Sequence, residues 1–200
     1  MSHQSPPAAL RLSIAGWAIA ALVGCGSAPS PSQTSTGNAP ALLDDLGTLH
    51  RDTGTRVPGA QRYFDQGLRL AYGFNHEAAG RAFAEAARLD PHCAICLWGQ
   101  ALVLGPNINL PMDPAHAAEA TRLSRRAMAL SASAQPADRA LIAALQHRYA
   151  DPAPADRKPL DMAYARAMAD VVQRFPNDDD AATLYAEALM DLSPWAYWNA

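Results

Sequence analysis

Six residues in one stretch constrain the fold more than any other feature of the chain. Gln61 to Gly105 reads QRYFDQGLRLAYGFNHEAAGRAFAEAARLDPHCAICLWGQALVLG, with Tyr63, Gly67, Ala79, Phe83, Ala86 and Pro91 spaced as two closely crossing helices require. Gly67 and Ala79 are small enough for the two helices to approach, Phe83 fills the wedge between them, and Pro91 stops the second helix after Asp90. Counting about 34 residues on from Gly67 reaches Ala101, a small residue expected at the next tight crossing.

This order of an aromatic, Gly, Ala, Phe, Ala and Pro resembles the tetratricopeptide repeat (TPR). The expected fold is all-α, with TPR-like antiparallel helical hairpins stacked as a short right-handed solenoid. The rest of the chain extends the pattern. Ala120, Ser124 and Ala127 repeat the spacing of Ala79, Phe83 and Ala86 after an insertion, PNINLPM (106–112), which reads as a loop inside the second hairpin. Asp113 is placed to cap the helix that follows, with Pro114 at its first position. A third hairpin is predicted from Pro136 to about Ala150 and from about Arg157 to Phe175, joined by DPAPAD. Asn177 is the predicted cap of a last helix running from Asp178 to Leu192, its aspartates read as a solvated first turn suited to the helix dipole. On the second helix of the first hairpin, Arg81, Glu85 and Arg88 are predicted to face water.

A narrower resemblance covers nearly everything after the linker. LGTLHR (46–51), AQRYFDQGLRLAYGFNHEAA (60–79), FAEAARLDPHCAICLWGQALVLGPNINLPMDP (83–114) and ATLYAEALMDLSPWAYW (182–198) are similar to a family of long bacterial TPR proteins. Its most specific parts are Phe74-Asn75-His76, the Cys93–Cys96 pair and Gly105-Pro106-Asn107-Ile108-Asn109, which makes Asn107 and Asn109 loop candidates. The resemblance implies further repeats and His-rich motifs beyond this point in such proteins. It implies no particular reaction.

The N-terminal end reads as an address. Residues 1–25 have Arg11 as their only formally charged side chain and a short apolar run, Leu12 to Val23, ending in Leu22-Val23-Gly24-Cys25. The run is too short to span a bilayer, and small residues before a cysteine resemble a lipoprotein processing site, with Cys25 acylated. Gly26 after the cysteine suggests, by resemblance to bacterial sorting, an outer-membrane anchor facing the periplasm. Residues 26–41 are Ser-, Pro- and Thr-rich and form a flexible tether. In the 42–59 segment, Leu42, Leu43, Leu46 and Leu49 at helical spacing predict a short helix, followed by a connector. The repeat domain is assigned to 60–200. A net charge of −3 gives no basic footprint for nucleic acid.

Chemistry is sparse. His92, Cys93 and Cys96 are the sharpest local signal, with the cysteines one turn apart near a helix N-terminus. In an oxidising compartment they suit a disulfide, near a helix N-terminus a redox thiol, and with an imidazole a Cu or Zn site. Haem attachment is excluded, because Leu97 stands where a histidine is needed. His76 is predicted to be a turn residue bonded to backbone. No catalytic residues are assigned.

The phase of the repeat places Gln61, Phe64, Leu68, Tyr72, Trp98 and Leu102 on a concave, apolar and aromatic groove. The alternative for that surface is further helices packing on it. The leading reading is therefore a membrane-anchored TPR module that binds a protein, peptide or small ligand. The other is a metal-binding or thiol-redox protein using Cys93 and Cys96, part of a longer metalloenzyme. At the far end, Leu184, Tyr185, Ala188 and Leu189 lie at core spacing, followed by Trp195, Tyr197 and Trp198. That apolar end is expected to need a continuing chain or a partner to cover it.

Overall fold

The computed structural model describes Met1 and residues 39–193. Cys25 and the aromatics Trp195, Tyr197 and Trp198 lie outside the described residues. Within them the regular structure is helical: α1 (Pro58–Tyr72), α2 (His76–Leu89), α3 (Ala94–Leu102), α4 (Ala117–Leu130), α5 (Pro136–Leu145), α6 (Lys158–Arg174) and α7 (Asp179–Met190). Each helix packs on the next, and α3 also touches α1 and α5. No helix among the described residues is long and apolar enough to cross a membrane.

Local chemistry sets the boundaries. Pro58 opens α1, where its missing N–H costs nothing, and Asn75 caps α2 by accepting from the Ala78 amide at 3.3 Å. Asp113 accepts from the Ala115 amide at 2.9 Å and starts a short 3-10 turn, Pro114–His116, that leads into α4. The last cap is Asp178, which accepts from the Ala181 amide at 3.0 Å, and not Asn177.

Phe83 is fully buried and organises the first crossing. A Cβ added at Gly67 would lie 2.6 Å from its ring, and one at Gly99 would lie 2.5 Å from it. The ring is thus clamped between two glycines, with Phe64 tilted against it at 5.4 Å between centroids. Ala101 is buried as expected, yet the small residue in contact with Phe83 is Gly99, two positions earlier. Ala120, Ser124 and Ala127 are buried, as are Leu141, Ile142 and Leu145 in α5.

Several expectations need correction. Residues 42–49 form no helix; they run as an irregular strap along α1. The α1 side chains supply the hydrogen bonds that a helix would have supplied: Gln66 accepts from the Leu43 amide at 2.8 Å and donates to the Ala41 carbonyl at 2.9 Å. Tyr63 donates to Pro40 and Arg69 to Leu49 in the same way. Gly47, at φ +80°, lets the strap reverse. Glu85 is buried beneath the paired guanidinium of Arg88, whereas Arg81 and Arg88 are exposed. Helix α5 ends at Leu145, and Leu189 is exposed, while Leu184 and Ala188 are buried.

The aspartates around the start of α7 are not simply solvated. Arg51, at the end of the strap, donates to Asp178 and Asp180 and also to Asp138 on α5. One buried guanidinium therefore ties the strap, α5 and α7 together.

Candidate functional site

The residues expected to line a concave groove are placed in the interior. Phe64 and Leu68 are fully buried, and Trp98 and Leu102 are 1% and 6% exposed. Gln61 is used by the strap: its amide donates to the Arg51 carbonyl, and its oxygen accepts from the Thr53 amide and hydroxyl. Tyr72 donates to Asp180 at 2.7 Å; burial first, and then the nearby Asp180 carboxylate, push its phenol far above the ordinary value. Leu184 and Glu187 of α7 close against Ala71, Tyr72, Leu102 and Val103. The chain's own strap and last helix thus cover this face.

Cys93 and Cys96 form a disulfide, with their Cα atoms 5.3 Å apart. Cys93 is 6% exposed and Cys96 is fully buried, while His92 is exposed. With the two sulfurs joined the pair presents no thiolate, and among the described residues no three His, Cys, Asp or Glu side chains gather as a ligand set. His50 is exposed and its Nδ1 lies 2.8 Å from Asp65.

A different constellation is assembled from two of the sequence motifs. The α1–α2 corner carries Phe74 at φ +58°, a left-handed conformation that a bulky side chain adopts only at a cost of about 1–2 kcal/mol. This geometry caps α1, because the Phe74 amide donates to the Ala71 carbonyl and the Asn75 amide to the Leu70 carbonyl. Glycine would do this without strain. Phe74 nonetheless keeps its ring half-exposed, stacked on His76 with 6.2 Å between centroids.

Facing this corner is the loop 105–113. Asn107 and Leu110 exchange backbone hydrogen bonds at 2.9 and 3.1 Å, and the Asn107 Oδ1 accepts from the amides of Asn109 and Leu110. Its Nδ2 lies 3.3 Å from His76 Nδ1. From inside, Arg148 donates to the Pro106 carbonyl at 2.7 Å and lies over the Tyr164 ring at 4.6 Å. Gly105 is required for this approach, since a Cβ there would fall 2.5 Å from the Tyr149 hydroxyl.

Corner and loop border a groove of about 780 Å³ between α2 and α4. Gly80 and Ala84 leave room on α2, Val103 and Leu123 contribute apolar floor, and Leu110, 65% exposed, stands at the rim. Two of the rim carboxylates are already paired, Glu77 with Arg81 and Glu119 with Arg122. The volume is in the range of small-ligand and peptide sites, and apolar surface predominates in the lining, with polar and charged side chains such as Arg81, Gln100, Asp113 and Glu119 among it. His76 also borders an enclosed cavity of about 20 Å³ with Tyr72, Arg148 and Glu187. Burial first, with help from Arg148, lowers the His76 pKa, although Glu187 and the Ala71 carbonyl act the other way. The ring is neutral at pH 7.

Sequence reasoning singled out Asn107, Asn109 and the Phe74-Asn75-His76 triplet but did not join them, and it passed over Arg148 and Arg51. For Arg51 a signal existed, its place at the end of LGTLHR; Arg148 sits in no motif. No protein-family model, curated protein or solved structure matches the chain.

Proposed function

We propose that this chain is an exported, lipid-anchored helical-repeat module of TPR type that binds an apolar segment of a partner protein. The binding surface in this reading is the groove between the Phe74 corner and the loop 105–113, not the opposite face, which α7 and the strap occupy. Phe74 carries the proposal: a strained, half-exposed aromatic at a position suited to glycine is the reverse of what stability alone favours. Helices that pair in chain order, with α3 also against α1 and α5, support the repeat reading. Leu22-Val23-Gly24-Cys25 supports acylation at Cys25 and an outer-membrane anchor facing the periplasm. No reaction is assigned.

The test is site-specific photocrosslinking in cells that export the protein. A crosslinker at Leu110 should capture a partner, and one at Leu43, exposed on the strap, should not. Equal capture at both sites, or none at Leu110, would remove the groove from the account. Separately, Cys25→Ala should leave an unprocessed precursor without lipid; normal maturation of that variant would refute the anchor.

A further inference from the structure

We infer that the His76–Asn107 hydrogen bond is an acid-sensitive latch: protonating His76 frees the loop 105–113 from the α1–α2 corner and so opens the groove at that border. The inference concerns the regulation of the site proposed above and rests on that reading only for its consequence in binding.

The orientation of one amide fixes which atom faces His76. Asn107 Oδ1 is committed to two backbone donors, Asn109 N at 2.9 Å and Leu110 N at 3.1 Å. Its Nδ2 is therefore the atom directed at His76, and an amide nitrogen can only donate. His76 Nδ1 must accept, which it does only in the neutral ring with the proton on Nε2. Protonation places an N–H at Nδ1 against the N–H of Asn107. Flipping the amide to present its oxygen would strip the Asn109 amide of its acceptor and leave Leu110 N only the Asn107 backbone carbonyl, so the loop has no inexpensive way to adapt.

The surroundings of His76 decide the direction. Arg148, at the end of α5, opposes a second positive charge, whereas Glu187 on α7 and the Ala71 carbonyl at the end of α1 favour one. On its own helix and across the groove stand Glu77, Arg81, Asp113, His116 and Glu119, and the Phe74 ring lies on its face. Burial outweighs the favourable groups, so the folded pKa lies below the ordinary 6.5. For a histidine lowered in this way, the hydrogen bond is intact above the ordinary value and is lost as the pH falls through the folded one. Opening should be local. The other tethers, Arg148 to the Pro106 carbonyl and Arg157 to the sulfur of buried Met112, carry guanidiniums that do not titrate, so the loop moves only between Pro106 and Met112 and the fold persists.

The experiment is an NMR titration of the protein alone from pH 7.5 to 5, with no partner present. The imidazole of His76, the side-chain amide of Asn107 and the backbone amides of Asn109 and Leu110 should shift with one common midpoint below 6.5. Hydrogen exchange at Asn109 and Leu110, corrected for its intrinsic pH dependence, should speed up about five- to tenfold, the size of one lost hydrogen bond. His76→Gln, whose amide oxygen can accept but never protonates, should abolish the loop shifts, and His116→Gln should leave them in place. Loop resonances that ignore pH, or that still titrate in His76→Gln, would overturn the latch. Crosslinking from Leu110 at the two pH values gives a separate readout. Loop titration without any capture at Leu110 would sink the groove reading and keep the latch, and capture without loop titration would do the reverse.

Discussion

Arg51 Nη2 lies 2.7 Å from Asp138 Oδ1, an ion pair that joins residues 87 positions apart and is nearly closed to water. The same guanidinium holds Asp178 and Asp180, so three carboxylates depend on one cation. Burial raises the Asp138 carboxyl above its ordinary value in spite of Arg51. At Asp178 burial also raises, but the Arg51 hydrogen bond and the Ala181 amide prevail and the pKa is lowered.

Replacing this cation should be severe and pH-dependent. Arg51→Met leaves buried Asp138 and the partly buried Asp178 and Asp180 without a cation and should cost about 3–5 kcal/mol at pH 7. Without Arg51 the folded state takes up protons more readily than wild type does. The deficit should therefore be greatest at neutral pH and shrink as the pH falls through the carboxylate range. Urea melts of both proteins between pH 4 and 7 measure it; a pH-independent deficit would contradict the role given to Arg51.

The glycine clamp on Phe83 allows a second check. Gly99→Ala places a methyl where 2.5 Å separates it from the ring, and overpacking of this kind costs about 1–3 kcal/mol. The urea midpoint should fall with the slope unchanged, and Phe83→Leu in the same chain should recover part of the loss. A neutral Gly99→Ala would mean that the crossing is looser than described.

How far the sequence could be read depended on the range of each interaction. Helix boundaries such as the stop after Asp90, the cap Asp113 and the start at Pro136 were legible because such signals act over neighbours a few residues away. The buried face of α2 was legible from its periodicity except at Glu85. The strap was misread because leucines at helical spacing describe a pattern, whereas its backbone partners, Gln66 and Arg69, lie more than twenty residues on. The aspartates of α7 looked solvated for a similar reason, since their partner is Arg51. For the candidate site, the motifs marked both walls, but only the fold sets Asn107 against His76, 31 residues apart in the chain. The face assigned to a concave groove is interior, with Phe64 and Leu68 fully buried. What covers that face, α7 and the strap, was beyond local reading.

The disulfide should act as a staple of ordinary size. Closing a four-residue loop contributes about 2 kcal/mol by chain entropy, and both cysteines are buried. Native exported protein should show no alkylatable thiol. Cys93→Ser/Cys96→Ser should unfold at a lower urea midpoint while still folding, and capture from Leu110 should persist. Loss of capture with the fold intact would instead point to a direct role for the pair.

The central claim is that Phe74 serves binding at the expense of local strain. Phe74→Gly relieves the left-handed conformation at φ +58° and removes a ring that is half in water, so stability should stay within about 1 kcal/mol of wild type or rise. Partner capture from Leu110, measured on the same preparation of exported protein, should fall to background. A Phe74→Gly protein that is as stable as wild type and still captures its partner undiminished would contradict the account.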